Sequence, residues 1–190
     1  MVTARSLHNT PPAKSLPLQS VETLQAFIEA PVENAEWVDG QIIEKGGMTV
    51  KHGVVQGRLS YLWTAYAESV QETGLVCVEA PCCTLKQVRR PDVAFITGDL
   101  LTKYGQPATF PESFPLIAEI ISPTDFAEAT FAKAQEYLES GCKEVWLVLP
   151  EVQHLLVMTR EEHMWFMANE MVTARTTLKG FQVAVKDLVR

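Results

Sequence analysis

Two carboxylates inside apolar runs constrain the fold of this chain more than any other feature. Asp92 opens a run of apolar residues over 93–96, and Glu119 interrupts a second run over 116–121. Short apolar runs bounded by turn residues predict buried strands. An ionised carboxylate in such a strand is costly unless it is paired, hydrogen-bonded or bound to a metal. Two of them on candidate neighbouring strands therefore predict a polar site within the core.

A helix that carries a lysine is predicted directly after the second run. Ser122 suits its N-cap, Pro123 its first turn and Gly141 its end. Its apolar face contains Phe126, Ala127, Thr130, Phe131, Ala134, Tyr137 and Leu138. Lys133 falls at the border of that face. Its amine can reach the sheet surface beside Glu119, or it can snorkel at the edge of an amphipathic helix.

Three motifs of this segment, taken together, resemble a known family. They are PDVAF at 91–95, EIISPTD at 119–125 and K-x-x-x-YLESG-x-x-EVWLV at 133–148. They resemble the restriction endonucleases common in cyanobacteria, a family long labelled a domain of unknown function, within the PD-(D/E)XK nuclease superfamily. The resemblance runs from about Leu24 to the C-terminus. It implies an α/β fold with a restriction-endonuclease-like central mixed β-sheet flanked by α-helices. We expect a single domain over 19–190 after a disordered lead over 1–18.

The resemblance also implies roles for three residues. Asp92 corresponds to the Asp of the superfamily's PD pair, and Glu119 to the acid of its E-x-K element. Ile121 stands where that element has its lysine. In this family the lysine has moved to the following helix, which matches Lys133. One departure is Leu149, where relatives usually carry an Asp before the proline.

These roles imply a metal-dependent hydrolase that acts on DNA. A divalent cation, Mg²⁺ with Mn²⁺ as the alternative, neutralises a phosphoryl group and generates a nucleophile from water. Asp92, Glu119 and the main-chain carbonyl of Ile120 would supply its protein ligands. Lys133 would orient or deprotonate the attacking water, or stabilise charge in the transition state. We therefore expect an endonuclease with Asp92, Glu119 and Lys133 as its catalytic residues.

A non-catalytic function is the alternative. The formal net charge is −7, whereas a protein that binds DNA through phosphates normally has a basic surface. A relative that keeps the fold as a binding or assembly module fits both this charge and Leu149. In favour of substrate binding, Arg89, Arg90 and Lys103 flank Asp92 in sequence and can form a local basic cleft. An ordinary solvated surface explains them equally well.

Three further residues are candidates for lining the site. Glu36 and Glu44 lie around a predicted hairpin whose Asp39-Gly40 pair suits a tight turn. Either can approach the metal, or both are solvated strand ends. His52 lies on the first turn of a predicted long helix, where relatives commonly carry a histidine. A lone histidine at a helix start is, however, often structural.

The remaining elements follow from apolar runs and turn residues. We expect strands within 36–45, 75–80, 91–97, 115–121, 144–149 and 153–168, and helices over 20–30 and from 50 to Gly74. The stretch 97–114 is predicted to be a long loop that gates the site or contacts substrate. On the late hairpin, Trp165, Phe166 and Met167 indicate a homodimer interface, or else they pack on the sheet.

Composition limits the class of protein. The 190 residues are 47% hydrophobic, which suffices for one domain with a sizeable core. No apolar run approaches the roughly 20 residues that span a bilayer, and the first residues lack an apolar signal core. We therefore expect a cytoplasmic protein without a membrane partner. The cysteines, Cys77, Cys82, Cys83 and Cys142, lack C-x-x-C spacing and are expected to be reduced thiols.

Overall fold

The computed structural model describes residues 23–190, and the predicted lead over 1–18 lies outside them. The helices are α1 (Leu24–Glu29), α2 (Val50–Ser69), α3 (Gly98–Tyr104), α4 (Ala127–Glu139) and α5 (Val185–Val189). The strands are β1 (Ala35–Val38), β2 (Gln41–Glu44), β3 (Leu75–Val78), β4 (Cys82–Cys83), β5 (Val88–Arg89), β6 (Val93–Ile96), β7 (Leu116–Ile120), β8 (Glu144–Leu149), β9 (His154–Met158), β10 (His163–Phe166), β11 (Met171–Thr173) and β12 (Gln182–Ala184). Across residues 23–190, no helix has both the length and the apolar character needed to cross a membrane.

A six-stranded sheet forms the centre of the molecule, in the order β10-β9-β8-β7-β6-β3. The pair β7–β8 is parallel and the other neighbouring pairs are antiparallel. The predicted α/β fold with a central mixed sheet is therefore confirmed. Every residue of β6 and β7 is buried, because helices pack on both faces of the sheet.

Alternation along the central strands sends their side chains into two apolar layers. Phe95 belongs to the layer packed by α2. There Trp63 meets Trp146 edge-on, with ring centroids 5.6 Å apart. Ala94 and Ile117 belong to the layer packed by α4. The sheet thus separates an α2 layer from an α4 layer.

A smaller sheet, in the order β2-β1-β5-β4, brings the N-terminal hairpin to the beginning of β6. The hairpin turns at Asp39 and Gly40, whose φ angles are 49° and 80°. This left-handed pair is the tight turn predicted from the sequence. The chain then passes from β5 through Asp92 into β6. Residues at the end of the hairpin therefore lie close to Asp92.

The prediction of one long loop over 97–114 is wrong in its first part, which forms α3. Leu101 and Tyr104 pack against the α4 layer, and Gly105 ends the helix with a φ of 66°. Gly98 and Gly105 favour a loop in the sequence. A helix of 7 residues gives a periodic apolar pattern that is too weak to outweigh these two glycines.

The predicted start of α4 and part of its apolar face are also wrong. The Ser122 N–H donates to the Asp125 carboxylate over 2.7 Å, which closes a turn before the helix begins. Side chains of this kind compete with helical hydrogen bonds. As a result Phe126 is 82% exposed and Phe131 is 40% exposed.

Gly74 does not end α2, which stops at Ser69. A Cβ atom at Gly74 would meet the ring of Phe95 and the main-chain carbonyl of Ile96. Glycine is therefore needed at position 74 because the chain approaches β6 closely there. In the sequence, such a glycine cannot be told apart from one that ends a helix.

The late hairpin forms from antiparallel β9 and β10, as predicted. Of its three candidate interface residues, Trp165 and Met167 are 54% and 61% exposed. Phe166 is instead half-buried against the α2 layer. An interface on this hairpin would therefore use Trp165 and Met167, whereas Phe166 follows the alternative and packs on the sheet.

Candidate active site

The two predicted acids meet on one face of the central sheet. β6 and β7 are antiparallel, with Val93 opposite Ala118. Asp92 and Glu119 therefore occupy the next opposed positions and share a face. Both are buried, with 3% and 7% of their surface exposed. One oxygen of Asp92 accepts the main-chain N–H of Ile120 over 2.7 Å, so the three predicted metal-binding residues are close neighbours.

Lys133 extends from α4 toward the sheet. Its Nζ lies 2.9 Å from Glu119 Oε1 and 2.8 Å from Glu36 Oε1. Tyr137, one turn further along α4, donates its hydroxyl to the same Glu119 oxygen over 2.9 Å. Lys133 is thus held between two carboxylates rather than at the solvated edge of the helix. Glu36, a candidate lining residue, is part of the same cluster.

A second lysine, Lys45, enters the site from the end of the N-terminal hairpin. Its Nζ lies 2.6 Å from Glu79 Oε2 and 2.8 Å from Asp92 Oδ1. It also donates to the Arg90 carbonyl over 2.9 Å. Sequence reasoning missed both Lys45, which belongs to no motif, and Glu79, which directly follows the apolar run over 75–78. Only knowledge of how the hairpin pairs with the rest of the chain could have indicated that Lys45 lies beside Asp92.

The first two turns of α2 add the imidazole of His52 and the amide of Gln56. The Thr49 hydroxyl caps α2 by accepting the His52 N–H over 3.1 Å. His52 Nε2 then lies 3.4 Å from Asp92 Oδ2. Gln56 donates to Glu79 over 3.1 Å and to the Asp92 carbonyl over 2.9 Å. His52, Glu79 and Asp92 each offer a ligand atom, and these atoms lie within 4.8 Å of one another.

Arg89 and Arg90 stabilise the site's scaffold. Arg89 forms ion pairs with Glu36 and Glu136. The Arg90 guanidinium donates to three main-chain carbonyls of the hairpin region and of the loop after β3. Both guanidinium groups are therefore paired inside the protein, which favours neither an open basic cleft nor an ordinary solvated surface at these two residues.

Two further candidates lie on the surface. Glu44 is exposed at the end of β2, next to Lys45 in sequence but on the opposite side of the strand by alternation. Lys103 is exposed near the end of α3, where its Nζ lies 3.9 Å from Glu112. Of the three predicted substrate-binding residues, Lys103 alone presents an exposed ammonium.

Burial and charge shift the pKa values of the two central acids in opposite directions. Burial raises the pKa of Glu119 to about 7, because Lys133 offsets it only in part and the Asp92 carboxylate adds to it. Burial also acts to raise the pKa of Asp92. A hydrogen bond from His52 and the charge of Lys45 outweigh it and hold that pKa well below its usual range. Asp92 is therefore ionised at neutral pH, whereas the pKa of Glu119 lies near neutrality.

The donor set fits a divalent cation. Carboxylate oxygens, which Asp92, Glu79 and Glu119 offer, are ligands that Mg²⁺ and Mn²⁺ prefer. The ammonium of Lys45 already lies between the carboxylates of Glu79 and Asp92. Although burial acts to lower the pKa of Lys45, the charges of Asp92 and Glu119 raise it overall. The space between the Glu79 and Asp92 carboxylates thus attracts positive charge.

The central mixed sheet with helices on both faces has a restriction-endonuclease-like nuclease fold. The family model described as "Putative restriction endonuclease", Uma2, matches residues 20–186, and the chain belongs to this family. A solved structure, a "putative nuclease belonging to DUF820 from Anabaena variabilis ATCC 29413", is similar in fold, with a TM-score of 0.77. The two chains are 20% identical over 88% of this chain and 97% of that one. No curated protein matches the chain significantly.

Proposed function

We propose that this protein is a divalent-metal-dependent endonuclease that hydrolyses DNA phosphodiester bonds. The observation that carries the proposal is the pairing of two buried acids across β6 and β7 with an ammonium beside them. Asp92 and Glu119 are the acids, and Lys133 Nζ lies 2.9 Å from Glu119. Membership of a restriction endonuclease family supports the same chemistry.

Asp92, Glu119 and the main-chain carbonyl of Ile120 would hold Mg²⁺ or Mn²⁺ in this site. Glu79 and His52 stand beside Asp92 as further donors. The ion, when bound, neutralises the phosphoryl group and makes water a nucleophile. Burial of the acids excludes bulk water and strengthens each electrostatic contact.

Lys133 would orient the attacking water and stabilise charge that develops on the phosphoryl group. Burial acts to lower its pKa, but the Glu119 and Glu36 carboxylates raise it, so Lys133 is a cation and a poor base. Glu119 would be a ligand of the ion, whose charge opposes protonation of its carboxylate. We therefore assign orientation of the attacking water and charge stabilisation to Lys133.

A non-catalytic binding or assembly module is the second candidate. The net charge of −7 and the engagement of Arg89 and Arg90 by internal partners favour it. Both weaken long-range attraction to a polyanion. Cleavage of DNA, rather than binding, is therefore the property that separates the two candidates.

The test is a cleavage assay on duplex, branched and single-stranded DNA, with RNA for comparison, in Mg²⁺, Mn²⁺ or EDTA. We expect wild type to cut DNA in either metal and not in EDTA, and Asp92→Asn to be inactive. Glu151→Gln is the matched control, because Glu151 is an exposed acid that contacts Lys51 over 3.0 Å. Absence of cleavage on every substrate in both metals would support the non-catalytic module.

A further inference from the structure

Lys45 occupies the site without a role in the proposed chemistry. Its ammonium contacts one oxygen of Asp92 and one of Glu79. The other Asp92 oxygen accepts the Ile120 N–H over 2.7 Å and faces His52 at 3.4 Å. The Asp92 oxygen that is not committed to the main chain is therefore the one that Lys45 holds.

We propose that Lys45 is an internal counter-ion, which fills the cation position between Glu79 and Asp92 in the metal-free protein and leaves it when a divalent ion binds. This inference rests on the proposed function, because it assigns a regulatory contact to the same metal site. It makes ion binding an exchange of one cation for another.

Electrostatic repulsion favours the exchange. Lys45 is largely buried, with 18% of its side chain exposed, and Asp92 with 4%. In so sheltered a position, an ammonium and a divalent ion on the same carboxylate repel each other far more strongly than in water. The Lys45 stem is a flexible chain that allows its head to move.

The local chain gives Lys45 room to move, whereas Lys133 lacks it. Gly46 and Gly47 follow Lys45 directly, and both have open space around them. Lys133 instead extends from the middle of α4 and is held by Glu36 and Glu119. Of the two site lysines, Lys45 is therefore the one able to withdraw.

The first test is calorimetric titration of Mn²⁺ into the full chain carrying Lys45→Met, Lys45→Arg or Lys51→Met, beside wild type. Lys45→Met should bind Mn²⁺ roughly tenfold more tightly or better, because a charge-assisted contact no longer competes. Lys45→Arg keeps the charge and should remain within a few-fold of wild type. Lys51 is exposed and contacts Glu151, so Lys51→Met should leave the affinity unchanged. Equal or weaker binding by Lys45→Met would overturn the proposal.

A second measurement needs no variant and decides the matter if Lys45→Met does not fold. Wild type is labelled with an amine-acylating reagent, with and without saturating Mg²⁺, and Lys45 is quantified by mass spectrometry. We expect labelling of Lys45 to rise severalfold with the ion and labelling of Lys51 to stay constant. Unchanged protection of Lys45 in the ion-bound protein would overturn the exchange and leave the metal site standing. If neither wild type nor Lys45→Met binds an ion, this proposal and the proposed function both fail.

Discussion

At the scale of single residues, the site consists of two lysines, each held by a pair of carboxylates. Lys133 bridges Glu36 and Glu119, and Lys45 bridges Glu79 and Asp92. Removal of either lysine leaves buried acids without their cation. A substitution here therefore changes stability as well as chemistry, and the two effects must be measured separately.

Lys133→Met should lower cleavage by roughly 10²–10⁴-fold, the usual contribution of a positioned catalytic group. The buried Glu36 and Glu119 would lose their shared cation, so unfolding free energy should fall by roughly 3–5 kcal/mol. Mn²⁺ binding should persist, because Lys133 is not a ligand. Cleavage is compared with that of Lys51→Met at a temperature where both proteins are folded by circular dichroism. A folded Lys133→Met that cuts at the wild-type rate would remove the lysine from the mechanism.

Cys77 should be nearly inert in the native protein. All four cysteines are free thiols, and burial raises the pKa of Cys77 from 9.0 to about 12. At pH 8 this lowers its thiolate fraction about a thousandfold relative to an ordinary thiol. Iodoacetamide alkylation, followed by mass spectrometry, should therefore be slow and rise about tenfold per pH unit. Equal rates at pH 8 for native and urea-unfolded protein would contradict this.

Sequence reasoning located Asp92, Glu119 and Lys133 because each is a charged residue in an apolar context, which is a local signal. Lys45 carries no such signal, since it lies between Glu44 and Gly46, outside any apolar run. Its partners Glu79 and Asp92 lie 34 and 47 residues away in sequence. The half of the site that depends on tertiary contacts alone could not be predicted.

At the scale of elements, strands were easier to predict than helix ends. The apolar runs of β6, β7 and β8 are continuous, so they indicated the central sheet directly. The start of α4 depends instead on a hydrogen bond between Ser122 and Asp125, which competes with helix formation at these residues. Serine and aspartate are also typical of helix N-caps, so the sequence pattern does not distinguish the two arrangements. Short-range patterns therefore identified the elements but misplaced some of their boundaries.

Substitution by alanine should change stability in opposite directions at two glycines, Gly57 within α2 and Gly74 after it. At Gly74 the new Cβ would meet the Phe95 ring and the Ile96 carbonyl oxygen, so Gly74→Ala should cost roughly 1–3 kcal/mol of stability. Gly57 lies in the interior of α2 with open space around it, so Gly57→Ala should stabilise by up to about 1 kcal/mol. Urea unfolding of both variants measures the difference. A neutral Gly74→Ala would show that the contact with β6 relaxes freely.

At the scale of the whole molecule, β10 is an edge of the central sheet and exposes apolar side chains. Exposed edge strands readily pair with another chain. We propose a homodimer through Trp165 and Met167 in a cytoplasmic protein. Sedimentation should give a dimer for wild type and a monomer for Trp165→Glu. Tyr61→Glu, at a 69% exposed site on α2, is the control and should remain a dimer. A monomeric wild type at all concentrations would refute the interface.

The proposed active site requires one ion held jointly by Asp92 and Glu119. The direct measurement is anomalous diffraction from crystals soaked in Mn²⁺, with Asp92→Asn crystals as the control. We predict a single strong peak within about 2.3 Å of a carboxylate oxygen of each acid in wild type, and its loss in Asp92→Asn. A peak that touches neither acid, or no peak at saturating Mn²⁺, would contradict the metal-dependent active site.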